Sequence, residues 1–114
     1  MKLEQQNFGT ALLITVGEDR IDAAVAIQFK DGLRSLADGG PERVILDLQQ
    51  VQFLDSSGLG AVVAAMKLLG PGQTLELANL TPVVANVFRL TRMDRVFTIH
   101  DDADAALGGL ANVG

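Results

Sequence analysis

The chain alternates short apolar stretches with stretches in which apolar residues recur every three or four positions. Four apolar stretches have the length and composition of buried β-strands. They lie at residues 11–16, 44–48, 74–78 and 96–99. Gly and Pro residues at 39–41 and 70–72 end the helical stretches. Because strands that alternate with helices pair in parallel, we predict an α/β fold with a mixed, mostly parallel sheet of about five strands and about four helices.

Polar residues and prolines indicate where the helices begin. Asp22 is a suitable N-cap for the first helix, and Thr81 precedes a proline at the first position of the third. We predict the central helix over residues 59–69 and a last helix that is capped by residues 101–102. The remaining predicted segments are two strands within residues 2–16, broken near 7–9, and a connector at 51–54.

Length and composition favour one domain in a reducing compartment. The 114 residues suffice for a single core, so we take residues 1–114 as one domain. The sequence has no cysteine, which excludes disulfides and thiolate metal sites. It has neither an apolar run of about 20 residues nor a basic and then apolar N-terminal segment. We therefore expect a cytoplasmic protein without a membrane span.

The charge of the chain argues against nucleic acid as a direct partner. The formal net charge is −5, whereas binding to a phosphate backbone depends on clustered basic residues. Arg89, Arg92 and Arg95 come closest to such a cluster, but their spacing fits a solvated helix face near a C-terminus. An acidic domain of this kind suits a partner protein with a basic face.

The segment 55–60, Asp-Ser-Ser-Gly-Leu-Gly, lies where a buried strand gives way to the central helix. This position brings the hydroxyls of Ser56 and Ser57 next to free N–H groups and the positive end of the helix dipole, where a phosphate would be stabilised. Asp, Ser and Gly are also ordinary capping residues, so these residues alone leave open whether the segment is functional or only structural. Gly58 has no side chain, and we expect it to allow the close approach of another protein's backbone.

The residues around this segment do not form a recognisable catalytic motif. The nucleophile elbow Gly-x-Ser-x-Gly lacks its first glycine here, and no P-loop sequence occurs. The single histidine, His100, is expected to interact with Asp101 and Asp102 rather than to act as a base. The carboxylates at 101, 102 and 104 fit a solvated helix start better than a cation site. We therefore predict no enzyme activity, no metal site and no cofactor.

Residues 53–60, Phe-Leu-Asp-Ser-Ser-Gly-Leu-Gly, resemble the signature of the STAS domain family, and in particular of anti-sigma factor antagonists. Residues 20–24, 80–82 and 90–97 resemble the segments around the first and third helices of that family, so the resemblance covers nearly the whole chain in order. It implies a single STAS domain. It also implies a partner, an anti-sigma factor that is a serine kinase and that releases its sigma factor when it binds the unphosphorylated protein.

The resemblance implies roles for individual residues as well. Ser56, directly after the motif aspartate, would be phosphorylated by the kinase. This phosphorylation would break the complex until a separate serine phosphatase reverses it. Asp55 would flank the phosphoacceptor, and Asp22 would contact the partner from a neighbouring loop. The partner-binding residues are then Asp22, Asp55, Ser56, Ser57, Gly58 and Leu59.

The resemblance leaves other functions open. Small STAS subunits also occur in ABC-type lipid transport systems, where they bind the ATPase, and this is the main alternative. A third hypothesis is an enzyme that uses Ser56 as its nucleophile, which would need a base that the sequence does not indicate. The sequence does not indicate whether the protein is a monomer or a dimer.

Overall fold

The computed structural model describes residues 1–108, and its elements confirm the predicted α/β fold. The strands are β1 (Leu3–Asn7), β2 (Ala11–Val16), β3 (Arg20–Ile21), β4 (Arg43–Asp47), β5 (Phe53–Leu54), β6 (Thr74–Ala78) and β7 (Thr98–His100). The helices are α1 (Ala26–Ala37), α2 (Ser56–Leu68), α3 (Pro82–Leu90) and α4 (Ala103–Leu107), with a 3₁₀ turn at Met93–Arg95. None of the helices in this part of the chain has both the length and the apolar character that a membrane span needs.

Five of the strands form one mixed sheet in the order β1-β2-β4-β6-β7. β1 and β2 are antiparallel, whereas each of the other neighbouring pairs is parallel. Parallel neighbours cannot be joined by a hairpin, and here α1, α2 and α3 make the crossovers. The mostly parallel sheet and the number of helices within residues 1–108 therefore agree with the prediction.

The two faces of the sheet bury different cores. Alternate side chains of the central strands pack with α1, α2 and α3 in the larger core, which contains Phe29 and Phe88. The opposite face, represented by Ile45, packs against Ala106 and Leu107 of α4. α2 begins within residues 55–60, the serine segment. It lies on the three-helix side and follows β5 in the chain.

The second sheet is a parallel pair of β3 and β5, which the sequence pattern does not predict. Each strand has two residues, too few for an alternating pattern to be recognised. Arg20 lies opposite Phe53 in this pair, and Ile21 lies opposite Leu54. The carbonyl oxygen of Asp19 also accepts a hydrogen bond from the N–H of Phe53 (3.1 Å). The pair holds the loop before α1 beside the loop before α2.

Two of the predicted helix starts are wrong. α2 begins at Ser56, one turn earlier than predicted. α1 begins at Ala26 after Val25, which makes no side-chain capping bond, so Asp22 is not its N-cap. Asp22 instead accepts a hydrogen bond from the N–H of Ala24 (3.1 Å) in the turn before the helix. Short acidic side chains form such local turns as readily as helix caps.

The other two helix starts agree with the prediction in position. Thr81 is the N-cap residue of α3 and Pro82 is its first residue, although the Thr81 hydroxyl donates to the carbonyl of Val51 (2.7 Å) instead of capping the helix. Asp102 caps α4, because its side chain accepts a hydrogen bond from the N–H of Ala105 (2.7 Å).

The prediction that His100 interacts with its acidic neighbours in the sequence is wrong, because its Nε2 lies 2.7 Å from Oε1 of Glu76. The register of β6 and β7 brings both side chains to the face that α4 covers. Glu76 also forms a bidentate ion pair with Arg43, in which both N···O distances are 2.7 Å. Arg43 donates a further hydrogen bond to the carbonyl of Ala106 (2.6 Å), so the cluster attaches α4 to the sheet.

The structure also corrects the reason for a glycine at position 58. Gly58 is buried in the first turn of α2. A Cβ there would overlap the carbonyl oxygen of Ile21 and lie 2.8 Å from Cδ1 of Leu54. The close approach that the missing side chain permits is therefore internal, between α2 and β3, and not to another protein.

The Glu76 cluster predicts a dependence of stability on pH. Hydrogen bonds from Arg43 lower the pKa of the Glu76 carboxyl below its ordinary value of 4.5, burial opposes this effect, and the hydrogen bond from His100 adds to it. Because the folded-state pKa is depressed, the ion pair contributes its full stability above the ordinary pKa and loses it as the pH falls through the folded-state value.

We predict that Glu76→Gln lowers the free energy of unfolding at neutral pH by roughly 1–3 kcal/mol, because it removes a charge-assisted, bidentate contact. Below about pH 4.5 the difference between wild type and variant should shrink as Glu76 becomes protonated. Urea unfolding at a series of pH values measures both effects. Glu42→Gln, at an exposed position, is the matched control. A difference that stays constant at every pH would contradict this account.

The contact at Gly58 makes a second prediction about stability. Gly58→Ala should lower the free energy of unfolding by about 2 kcal/mol or more, because the backbone of β3 or α2 has to shift. Gly60→Ala is the control in the same helix, since a Cβ there meets nothing within 4 Å. It should stabilise the protein by about 0.5–1 kcal/mol, the usual preference of a helix for alanine. Similar effects of the two variants in thermal unfolding would rule out the proposed contact.

Candidate functional site

Asp55 caps α2 and leaves the serines beside it available. Its backbone is extended, and its Oδ1 accepts a hydrogen bond from the N–H of Gly58 (2.8 Å). Its carbonyl accepts the N–H of Leu59 (2.9 Å), the first bond of the helix. The capping role that the sequence allowed for the serines is therefore filled by the aspartate.

Ser56 and Ser57 are the first two residues of α2, and both are exposed. N–H groups in the first turn of a helix have no partner within the helix, and they lie at the positive end of its dipole. Exposed hydroxyls at this place can accept a phosphoryl group that the free N–H groups and the dipole stabilise. The geometry is thus compatible with phosphorylation of either serine.

The small sheet brings Asp22 to the same edge as the serine segment. β3 and β5 are parallel and in register, so Asp22 and Asp55 are the residues that directly follow them. The residues that the resemblance assigns to partner binding differ in exposure. Ser56 and Ser57 are exposed, Asp22, Asp55 and Leu59 are half-buried, and Gly58 is buried.

Arg20 and Phe53 also lie at this edge, although the sequence assigns them no role in the site. Cζ of Arg20 lies 4.1 Å from the centroid of the Phe53 ring, and its Nε lies 3.3 Å from Oδ2 of Asp22. Phe53 remains 38% exposed. The one available signal in the sequence is an aromatic residue at the first position of the 53–60 motif, in a chain with no Trp or Tyr. Its contact with Arg20 follows only from the pairing of β3 with β5.

A groove of about 200 Å³ lies between α1 and α2 beside Ser57. Ile27 and Lys30 line it on the α1 side, and Gly60 and Ala64 are among the small residues on the α2 side. Ile27 is 69% exposed, which is unusual for a large apolar side chain. The groove extends the surface of the serine segment toward α1.

The single histidine of the chain, His100, does not lie beside the serine segment and cannot act there as a base. His100 contacts Glu76 on the face of the sheet that α4 covers, whereas α2 packs on the other face. Within residues 1–108, no group of His and acidic side chains is placed to hold a metal ion. The arrangement provides exposed hydroxyls, free N–H groups and a surface of mixed charge, which suit a modifiable protein-binding site.

Comparisons with known proteins agree with this description. A family model described as the STAS domain matches residues 3–106. BtrV from Bordetella bronchiseptica, named as an anti-sigma factor antagonist, is 31% identical over 96 residues, which cover 83% of each chain. The anti-sigma-F factor antagonist RsfB from Mycobacterium tuberculosis is 27% identical over 105 residues, which cover 89% of this chain and 84% of RsfB.

A solved structure supports the fold. The crystal structure of an anti-sigma factor antagonist from Mycobacterium paratuberculosis matches with a TM-score of 0.83, over 96% of this chain and 93% of the other, at 22% identity. At that identity the likeness shows the fold alone. The family match over residues 3–106 and the identity with BtrV show more: this chain belongs to the STAS domain family, and relatives that it matches there are anti-sigma factor antagonists.

Proposed function

We propose that this protein is an anti-sigma factor antagonist whose binding to an anti-sigma factor is switched off by phosphorylation of Ser56. The unphosphorylated form binds the anti-sigma factor, which then releases its sigma factor. In this proposal the anti-sigma factor is also the serine kinase, and a separate serine phosphatase restores binding. The named functions of BtrV and RsfB support this class of partner.

The observation that carries the proposal is the position of Ser56. It is exposed at the first residue of α2, next to a cap that Asp55 provides without help from the serine. A kinase can therefore reach the hydroxyl without unfolding the helix. The helix dipole stabilises an anion at this position, so the phosphorylated protein should keep its fold.

Phosphorylation changes the charge of the binding surface more than its shape. A phosphoserine carries about −1.5 to −2 charge near neutral pH, and it would stand beside the carboxylate of Asp55. Inside a protein interface that charge has to lose its water and meets like charge, which costs affinity. A penalty of only about 1.4 kcal/mol weakens binding tenfold. A modest electrostatic cost is therefore enough for a switch.

The surface around Ser56 supplies the rest of the proposed contact. Asp22, Asp55, Ser57 and Leu59 lie at or beside the exposed serine, as the resemblance implies. Gly58 contributes indirectly. It permits the packing of α2 on β3, and this packing positions the other residues of the surface. We propose that Gly58 shapes this surface without touching the partner.

The other functions have less support. An enzyme with Ser56 as nucleophile would need a base, and His100 is on the opposite face of the sheet. A role in ABC-type lipid transport would use the same fold, but the relatives named above are anti-sigma factor antagonists. We therefore propose a binding protein that acts in the cytoplasm, where sigma factors work.

We predict that the cognate anti-sigma factor and ATP together phosphorylate this protein at Ser56. Mass spectrometry of the digested protein should place the phosphate on Ser56, because this hydroxyl directly follows the cap residue at the helix dipole. Ser56→Ala should abolish the modification, whereas Ser57→Ala should still be modified at Ser56. Phosphate on Ser57 alone, or none with an active kinase, would contradict the site assignment.

We predict that Ser56→Asp weakens binding to the cognate anti-sigma factor by tenfold or more relative to Ser56→Ala, because it adds a charge to the interface. Isothermal titration calorimetry measures the two dissociation constants, and thermal unfolding checks that both variants are folded. Ser35→Asp adds the same charge at an exposed position on α1 and should leave binding unchanged. Equal affinities of Ser56→Asp and Ser56→Ala would refute the charge switch.

A further inference from the structure

Arg20 holds a defined position beside the serine segment although 55% of its side chain is exposed. Cζ lies 4.1 Å from the centroid of the Phe53 ring, a cation–π contact. Nε donates to Oδ2 of Asp22 (3.3 Å). An exposed arginine is usually mobile, and these two contacts restrict the guanidinium to one place on the surface.

The groups that hold Arg20 are themselves fixed by backbone hydrogen bonds. The carbonyl of Asp19 accepts the N–H groups of Gln52 (2.7 Å) and Phe53 (3.1 Å), which ties β3 to β5 below the ring. The other carboxylate oxygen of Asp22 accepts the N–H of Ala24 (3.1 Å). The aromatic ring and the carboxylate therefore form a preorganised seat for the guanidinium.

Arg20 uses little of its hydrogen-bonding capacity. Within residues 1–108 its side chain donates one hydrogen bond, from Nε. Arg43 in the same protein donates three hydrogen bonds: its Nε and Nη2 contact the carboxylate of Glu76, and Nη2 also contacts the carbonyl of Ala106. The guanidinium of an arginine has five N–H donors in a rigid fork that matches a carboxylate. The Nη groups of Arg20 are thus open to an external acceptor.

We propose that Arg20 determines specificity in the proposed interface by receiving a carboxylate of the anti-sigma factor on its Nη groups. This inference rests on the proposed function and names the chemistry of one contact within it. A fork that is already positioned loses less conformational freedom on binding. The Phe53 ring beneath it excludes water from one side, which strengthens the ion pair that forms.

The charges around Arg20 make this contact selective. Asp19, Asp22 and Asp55 lie on the same loops, so most of the neighbouring charge is negative and attracts basic groups of a partner. Arg20 attracts a carboxylate of the partner at the edge of the small sheet, whereas the other cation described near this surface, Lys30, lies in the groove between α1 and α2. A partner surface with basic groups opposite the aspartates and an acidic group opposite Arg20 would therefore bind in a single orientation. In any other orientation, groups of like charge would face each other.

The test compares binding of the cognate anti-sigma factor to wild type, Arg20→Gln, Arg20→Lys and Arg95→Gln. Arg95 is an exposed arginine beside the start of β7, away from the serine segment, and its variant controls for the loss of one positive charge. We expect Arg20→Gln to weaken binding at least tenfold and to reduce its dependence on salt, and Arg20→Lys to recover only part of the loss, because lysine has no fork. Arg95→Gln should bind like wild type.

A further variant separates direct binding from an effect through Asp22. If Arg20 only holds Asp22 in place, Asp22→Asn should bind as weakly as Arg20→Gln, and the double variant should bind no more weakly than either. A direct contact predicts that Arg20→Gln still costs at least tenfold when added to Asp22→Asn. Full recovery by Arg20→Lys, or no further loss in the double variant, would overturn the inference.

The same measurements distinguish the inference from the proposed function. If Ser56→Asp loses binding while Arg20→Gln binds like wild type, the charge switch stands and the role of Arg20 is refuted. If wild type does not bind the anti-sigma factor, both fail together. Thermal unfolding of each variant verifies the fold. Because position 20 is exposed, Arg20→Gln and Arg20→Lys should leave the melting temperature nearly unchanged.

Discussion

The packing of α2 against β3 at Gly58 is the contact on which the candidate site depends. A side chain of any size at this position would meet the carbonyl of Ile21, so only glycine lets the first turn of the helix lie this close to the small sheet. That closeness puts the exposed serines, the Asp22 turn and the Arg20–Phe53 contact on one surface. The packing at Gly58 and the pairing of β3 with β5 together assemble the site.

The two faces of the main sheet are packed by different interactions. On the α4 face, the ion pair of Arg43 and Glu76 with His100 fastens the last helix. On the other face, α1, α2 and α3 pack on the sheet mainly through apolar side chains. Because the charged cluster and α2 are on opposite sides of the sheet, a charge added at Ser56 does not enter the network that fastens α4. A phosphorylation switch can therefore act on binding and leave the stability of the fold largely intact.

The sequence predicted the strands of the main sheet and the presence of the four helices, because each depends mainly on its own residues, although α1 and α2 begin at other residues than predicted. β6 has the predicted bounds, residues 74–78. Asp102 caps α4 as predicted, because aspartate is a preferred residue at the start of a helix. The small β3–β5 sheet, the internal role of Gly58 and the partner of His100 depend on segments distant in the sequence. Periodicity carries no information on such pairs. The motif predicted the position of Ser56. The position of Arg20 beside the serine segment could be found only from the register of β3 and β5.

In the proposed switch, Asp55 and Ser56 have separate roles at the start of α2. If the serine were the cap, its modification would change the group that holds the first turn. Here the aspartate accepts the Gly58 N–H, and its role is complete without the serine. The hydroxyl of Ser56 is then structurally spare while it remains at the positive end of the helix. A charge can be added and removed there repeatedly, because neither state is needed to keep α2 folded.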